Sequence, residues 1–431
     1  MRELFLLALM ALSIPIVWRR PEVGMMIYLG ANIVRPEMLF WGGSGGSFVF
    51  IFYYLLIVIA SFMRGYLWKL KESLQSEFLL MLWMLAGIYL SIFFASIQME
   101  RSYYYATELV KLFGICALLY VLIRDFDDIQ RLEGVLIGCF AFLGIWGFQQ
   151  QMLGNERLEG LGGSAWGDSN GIAAVYVLFL PVALARVYGA EKRRDFWLSF
   201  GVVVIMVALV VCTKSRGGLL GLLVCFFAFG FYARKSIQVV KVALVLALFV
   251  MPFVTNAFLE RMKTMDVSES EDLDDSARSR LILWQAGLLI FADNPLLGTG
   301  FLTYPQAKMK YEGNFSYLEE NFRNAVFRKE NKKVTHNSYI QMLSDCGLIG
   351  AIPYFLLIVG GIYKGLAVRG RLKKASVNHH QLLMLSGLTA GLTGFAVSIF
   401  FIDSVTGTFL YVQIAITGIL FRMVASTEKA V

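Results

Sequence analysis

Residues 278–300 read RSRLILWQAGLLIFADNPLLGTG, and residues 335–339 read THNSY. Both lie in Leu259–Asp345, the one long polar segment of a 431-residue chain that is otherwise almost wholly apolar. Outside it, apolar runs of about 17–22 residues recur, each long enough to cross a hydrocarbon core of about 30 Å as a helix. This contrast predicts an all-α polytopic membrane protein of about twelve transmembrane helices. The polar segment becomes one large helical loop between the tenth and eleventh candidate spans.

Composition agrees. The chain is 58% hydrophobic and 16% charged, against roughly 45–50% and 25% for a soluble domain. Thirteen candidate spans fall at 4–18, 23–36, 47–63, 78–98, 104–123, 133–152, 170–187, 195–212, 217–233, 238–257, 348–367, 381–402 and 407–423. The second is short and interrupted by Gly24, Gly30 and Pro36, which reads as a broken element, so twelve spans are expected. The first follows Arg2 and lacks a small-residue cleavage site, so it reads as a retained span rather than a signal peptide. The expected division is residues 1–257, 258–347 and 348–431: a helical bundle, the catalytic loop and closing helices.

The net charge of +8 matters through its placement. Arg64, Lys69 and Lys71, then Lys192, Arg193 and Arg194, then Arg234 and Lys235, then Arg369, Arg371, Lys373 and Lys374 occupy alternate short loops. The positive-inside bias makes those loops cytoplasmic. The other loops, Gly42–Gly46, Gln98–Tyr103, Gly154–Asn170, Thr213–Gly217 and Ile402–Thr408, then face outwards with the large insertion. No nucleic-acid partner is expected. The cysteines, Cys116, Cys139, Cys212, Cys225 and Cys346, show neither disulfide nor zinc spacing.

Within the insertion, Asp274, Asp275 and Ser276 supply acidic and capping groups for a helix carrying Arg280, Leu283, Trp284, Gly287 and Leu288. Asn294-Pro295 ends it. A second helix starts near Thr335 and closes at Gly347.

Ionisable groups buried in a membrane bundle are costly and usually mark a site. Lys111, with Glu108 one turn away, is either a local ion pair or a cation aimed at an anion. Arg157 and the glycine-rich Gly160–Gly167 precede Asp168-Ser169-Asn170, where a simple helix cap competes with an anion seat. Lys214-Ser215-Arg216-Gly217-Gly218 opens a helix with two cations, suited to pyrophosphate or to snorkelling towards lipid. Arg278 and Arg280 add planar charged forks, and Trp284 shares the face of Arg280. Of three histidines, His379 and His380 border a basic loop, which leaves His336 as the outward one. Cations around His336 would lower its pKa and keep it a neutral base. Asn337 and Tyr339 accompany it. Asp272-Leu273-Asp274 is better explained as a solvated acidic run than as a metal pair. No Walker A, zinc or dinucleotide motif occurs, so no cofactor or metal is expected.

Arg280 to Trp284, Asn294-Pro295 to Gly300, His336-Asn337-Ser338-Tyr339 and Asp345-Cys346-Gly347 to Gly350 resemble the Wzy/WaaL family of O-antigen ligases and polymerases. The N-terminal Arg20-Pro21 and Arg35-Pro36-Glu37 resemble its ligase-like branch. The resemblance implies a metal-independent inverting glycosyltransferase of the GT-C bundle type in the bacterial inner membrane, with its site facing the periplasm. The donor it implies is a glycan on undecaprenyl pyrophosphate. The acceptor is a sugar hydroxyl of lipid A-core for a ligase, or a second lipid-linked glycan for a polymerase. The family's outer-loop histidine maps onto His336, and its functional arginines onto Arg216 and Arg280. A transporter of lipid-linked sugars is the rival class. It would place key charges near midplane in paired halves, a pattern absent here.

Overall fold

Each of the thirteen apolar runs forms a helix in the computed structural model, which describes residues 2–36, 48–154, 158, 168–251, 275–327, 333–371 and 378–430. We number the long helices α1 (Arg2–Arg19), α2 (Pro21–Val34), α3 (Phe48–Met63), α4 (Ser76–Phe93), α5 (Glu100–Leu122), α6 (Phe126–Met152) and α7 (Ser169–Gly189). Then follow α8 (Arg193–Cys212), α9 (Arg216–Tyr232), α10 (Ser236–Val250), α11 (Asp275–Asp293), α12 (Ser338–Arg371), α13 (His379–Ser398) and α14 (Thr408–Ala430). No strand occurs among the described residues. Arg157, Gly160–Gly167, Glu37, Gly42–Gly46, Lys373, Lys374, Asp272 and Asp274 lie outside them.

The chain is a polytopic helical membrane protein. Among the described residues, eight helices are long and apolar enough to cross a membrane, or nine if α3 and the helix Tyr66–Ser73, bent by 103°, make one span. Three more, Leu6–Arg19, α9 and α10, are apolar but shorter. Length therefore separates this count from the twelve expected: at 1.5 Å per residue the shorter helices cover roughly 21–26 Å.

At the centre stands α13, 83% buried, against 44% for the peripheral α8. Small residues let it approach its neighbours closely. A methyl group on Gly391 would overlap the carbonyl of Leu178 in α7. Gly394 faces the Gly221 carbonyl and Cys225 of α9 just as tightly. The N-termini of α7 and α9 are thereby held beside the C-terminus of α13.

The outward loops gather at one end of this bundle. Ser215 in the α8–α9 turn donates to Asn170 of α7 at 2.7 Å. Gly217 packs on Phe401, and Ser102 of α5 bonds the carbonyl of Phe301. The basic turns gather at the other end, where Arg234 donates to the carbonyl of Arg369. The alternation read from charge is thus spatial.

The insertion has an apolar core of its own, built from α11 and from residues such as Tyr304, Phe315 and Phe327. Its helix ends as expected, at Asp293 before Asn294-Pro295. The second expected helix starts at Ser338, three residues after Thr335. Gly347 interrupts it with φ 57°, and the chain continues as the rest of α12. That break leaves helix carbonyls and N–H groups to be satisfied. The turn 294–300 satisfies them. Thr299 and Gly300 N–H bond the carbonyls of Ser344 and Asp345, and Leu348 and Ile349 N–H bond those of Pro295 and Leu296. Both Gly298 (φ 67°) and Gly347 are left-handed, and each faces the other segment's backbone too closely for a Cβ. Buried Asp345 completes the joint by accepting the N–H groups of Leu302 at 3.1 Å and Tyr304 at 2.9 Å.

Candidate active site

His336 sits in a turn whose shape is set by Asp403, on the α13–α14 loop. Asp403 accepts the hydroxyl of Thr335 at 2.5 Å, the N–H of His336 at 3.3 Å and the N–H of Asn337 at 3.1 Å. His336 pays for this convergence with a left-handed backbone, φ 48°, a conformation uncommon outside glycine and frequent at functional sites. Ser338 reinforces the joint: its hydroxyl donates to the carbonyl of Ile402 and accepts the N–H of Ser404, each at 2.8 Å.

α11 supports the turn from the other side. The indole N–H of Trp284 donates to the carbonyl of Thr335 at 3.0 Å. One helical turn earlier, on the same face, stands Arg280. Its charge reaches His336. Burial holds the imidazole below its ordinary pKa; the Asp403 carboxylate opposes this, Arg280 lowers it further, Asp168 raises it and Lys333 lowers it. Burial pushes the Asp403 carboxyl upwards, but the Thr335 hydroxyl, the imidazole and the two backbone N–H groups all favour its charged form.

A cavity of about 580 Å³ opens against the same loop, with Asp403, Asp168, Lys111, Glu108, Tyr105 and Arg35 among its walls. His336, Arg216 and Arg280 do not line it; Asp403 and Asp168 connect it to them. Lys111 donates to Glu108 at 2.6 Å, so the local ion pair forms, yet both side chains are about half exposed on the cavity wall. Asp168 caps α7 and accepts from the side chain of Asn170 at 3.2 Å. Asn170 in turn receives the Ser215 hydroxyl, which also caps α9 at Gly218, and Arg216 is the first residue of α9. The structure therefore brings Arg216, Asp168, Asn170, Arg280, Trp284 and His336 to one end of the bundle.

The other expected site residues have structural partners. Asn337 caps α12 by accepting the N–H groups of Tyr339 and Ile340. Tyr339 donates its hydroxyl to the carbonyl of Ala396 at 2.7 Å and packs against Phe400. Arg278 lies 4.7 Å over the ring of Phe322. Lys214 is buried in a left-handed turn before α9. Arg157 lies outside the described residues. No group of three or more metal-ligating side chains occurs among the described residues.

Several of the residues at this end of the bundle fall in one stretch. Residues 201–355 match the family model described as O-antigen ligase. The match supports a place in the O-antigen ligase family and covers about a third of the chain. No curated protein matches it. The stretch that matches the O-antigen ligase model contains Arg216, Arg280, Trp284 and His336; Asp403, Asp168 and Lys111 lie beyond it. Sequence reading missed Asp403. The available signal was a lone acid in the seven-residue loop Ile402–Thr408 between two spans, a place where a charge is expensive without a partner.

Proposed function

We propose that the protein is an inverting, metal-independent glycosyltransferase that moves a glycan from undecaprenyl pyrophosphate to a sugar hydroxyl of lipid A-core. The reaction would take place at the periplasmic face of the bacterial inner membrane. The observation that carries this reading is His336, held beside the charge of Arg280 by Asp403, which itself lies on the wall of a cavity of about 580 Å³. An imidazole kept below its ordinary pKa is neutral at physiological pH and able to accept a proton.

In the proposed step the acceptor hydroxyl gives its proton to the His336 imidazole as its oxygen bonds the anomeric carbon. The bond from that carbon to the pyrophosphate oxygen breaks on the opposite face, which inverts the centre. The electron pair leaves with the pyrophosphate, where Arg216 and Arg280 stabilise the growing charge. Lys111 and Arg35, on the cavity wall, are suited to the donor's phosphates. Asp168 and Asn170 fix the α7–α9 junction. Trp284, Asn337 and Tyr339 act as positioning residues for the His336 turn. Orientation follows the basic-loop rule, which puts the His336 end outside.

The polymerase reading shares every step except the acceptor. Purified protein supplied with lipid-linked glycan and either lipid A-core or a second lipid-linked glycan separates them. Transfer to lipid A-core is the expected result. Product formed solely from two lipid-linked glycans would replace it with the polymerase. Movement of the donor across a bilayer with no new glycosidic bond would favour the transporter.

A further inference from the structure

A second polar cavity, of about 460 Å³, lies at the end of the bundle away from His336. Its walls include Lys69, Arg124 and Arg422, with Glu72 as the lining carboxylate. Glu108 and Thr408 line the first cavity, whereas Ile123 and Arg422 of the same helix ends line the second. At 1.5 Å per residue these positions are roughly 21–23 Å apart, which sets the two cavities towards opposite ends of the bundle.

The local architecture suits a cavity at the membrane boundary. The helix Tyr66–Ser73 turns 103° away from α3 and presents Trp68 at 80% exposure next to Lys69. A short helix with an exposed indole beside Lys69 and Lys71 suits the headgroup layer, where aromatic rings and snorkelling lysines settle. Lys69 of this helix lines the cavity.

Both guanidinium groups are oriented by aromatic faces. Arg124 lies 4.4 Å over the ring of Tyr66, and Arg422 lies 4.8 Å over that of Tyr120. Arg422 also reaches Glu77 at 3.3 Å, but that carboxylate is already paired with Lys364 at 2.6 Å. Three cations thus face Glu72 alone on the wall. Val121, Ile123, Ile419 and Met423 add an apolar part to the wall, with the polar Gln75 and Ser426 beside it. A basic half joined to an apolar half matches a molecule that is itself divided that way.

We infer that this cavity binds the phosphate headgroup and glycerol backbone of an acidic phospholipid from the leaflet opposite the candidate active site. Free inorganic phosphate would satisfy the cations and leave the apolar half bare. The inference does not rest on the transfer reaction.

The test uses the intact protein purified in mild detergent and exposed to equal amounts of phosphatidylglycerol and phosphatidylcholine, with native mass spectrometry counting the retained lipid. The wild type should retain phosphatidylglycerol in roughly 30-fold preference or more, as expected for two or three cations near a headgroup. The double variant Lys69→Gln, Arg124→Gln, altered at two exposed side chains, should lose that preference. Glu72→Gln should strengthen it, which keeps the inference open to refutation even where the double variant fails to fold. Equal retention of both lipids by the wild type would overturn it. So would a folded double variant that still selects phosphatidylglycerol, or displacement of the lipid by millimolar inorganic phosphate.

Discussion

Buried carboxylates at the two ends of the bundle are satisfied in opposite ways. Glu77, on α4, is met by cations: Lys364 at 2.6 Å and Arg422 at 3.3 Å. Asp403, at the other end, accepts one hydroxyl and two backbone N–H groups. The first arrangement cancels charge and locks α4, α12 and α14 together. The second gives the carboxylate neutral donors and uses it to shape a turn. Arg280 still lowers the neighbouring imidazole's pKa. The Glu77 cluster neutralises its charges and ties helices together, whereas a site proposed to hold a pyrophosphate must keep positive field available for it.

The largest effect expected from this contrast is on chemistry. His336→Ala should lower the transfer rate by about 10²–10⁴-fold, the usual contribution of a general base, while thermal unfolding in detergent stays near wild type. Single-turnover transfer and a melting curve on the same preparation check this together. Unchanged turnover would remove the imidazole from the reaction. The mirror experiment is Glu77→Gln. It leaves Lys364 and Arg422 without their counter-charge, and breaking a buried pair costs about 3 kcal/mol. Stability should fall by that order, measured by denaturation, with turnover per folded molecule unchanged. If Glu77→Gln instead cut turnover at full stability, the division between the two ends would collapse.

Next in size is a shift in pH dependence. The proposed base works when neutral, so activity should be present above the folded pKa of His336 and lost as pH falls through it. Burial puts that limb below the ordinary imidazole range. Asp403 raises the pKa, so Asp403→Asn should move the limb further down, with roughly a tenfold loss in rate as the turn loosens. Arg280 lowers it, so Arg280→Gln should move the imidazole titration up. With three histidines in the chain, NMR can follow His336 in both variants. Shifts of the same sign in the two would contradict the proposed electrostatics.

Much of the architecture was legible because it rests on local signals. Apolar length gave the helices, and charge alternation gave the two ends. Asp293-Asn294-Pro295 gave the stop of α11. What stayed hidden depends on contacts between distant segments. The start of α12 falls at Ser338 rather than near Thr335 because Asp403 draws the N–H groups of His336 and Asn337 to itself. No local pattern marks that pairing. Residue type also misleads near a site. Asn337 and Tyr339 look suited to a substrate, yet their side chains cap α12 and bond Ala396. Arg278 and Arg280 are two positions apart, which on a helix sends them to different faces, one to Phe322 and one towards His336. The pairing of 295–300 with 344–349 explains why two glycine-containing motifs far apart in sequence occur together: each supplies the backbone partners that the other's turn lacks.

The smallest expected effect tests how far the His336 turn depends on α11. Trp284→Phe keeps most of the ring and removes the N–H that reaches the carbonyl of Thr335. A neutral hydrogen bond of this kind is worth about 1 kcal/mol, so the rate should fall about three- to fivefold. Because Trp284 touches the turn and not the cavity wall, the loss should fall on kcat with KM unchanged. Trp284→Ala removes packing as well and should lose stability besides. A rise in KM for the lipid-linked donor in Trp284→Phe would mean that the indole meets substrate directly. In that case α11 would form part of the binding surface rather than a brace for the imidazole.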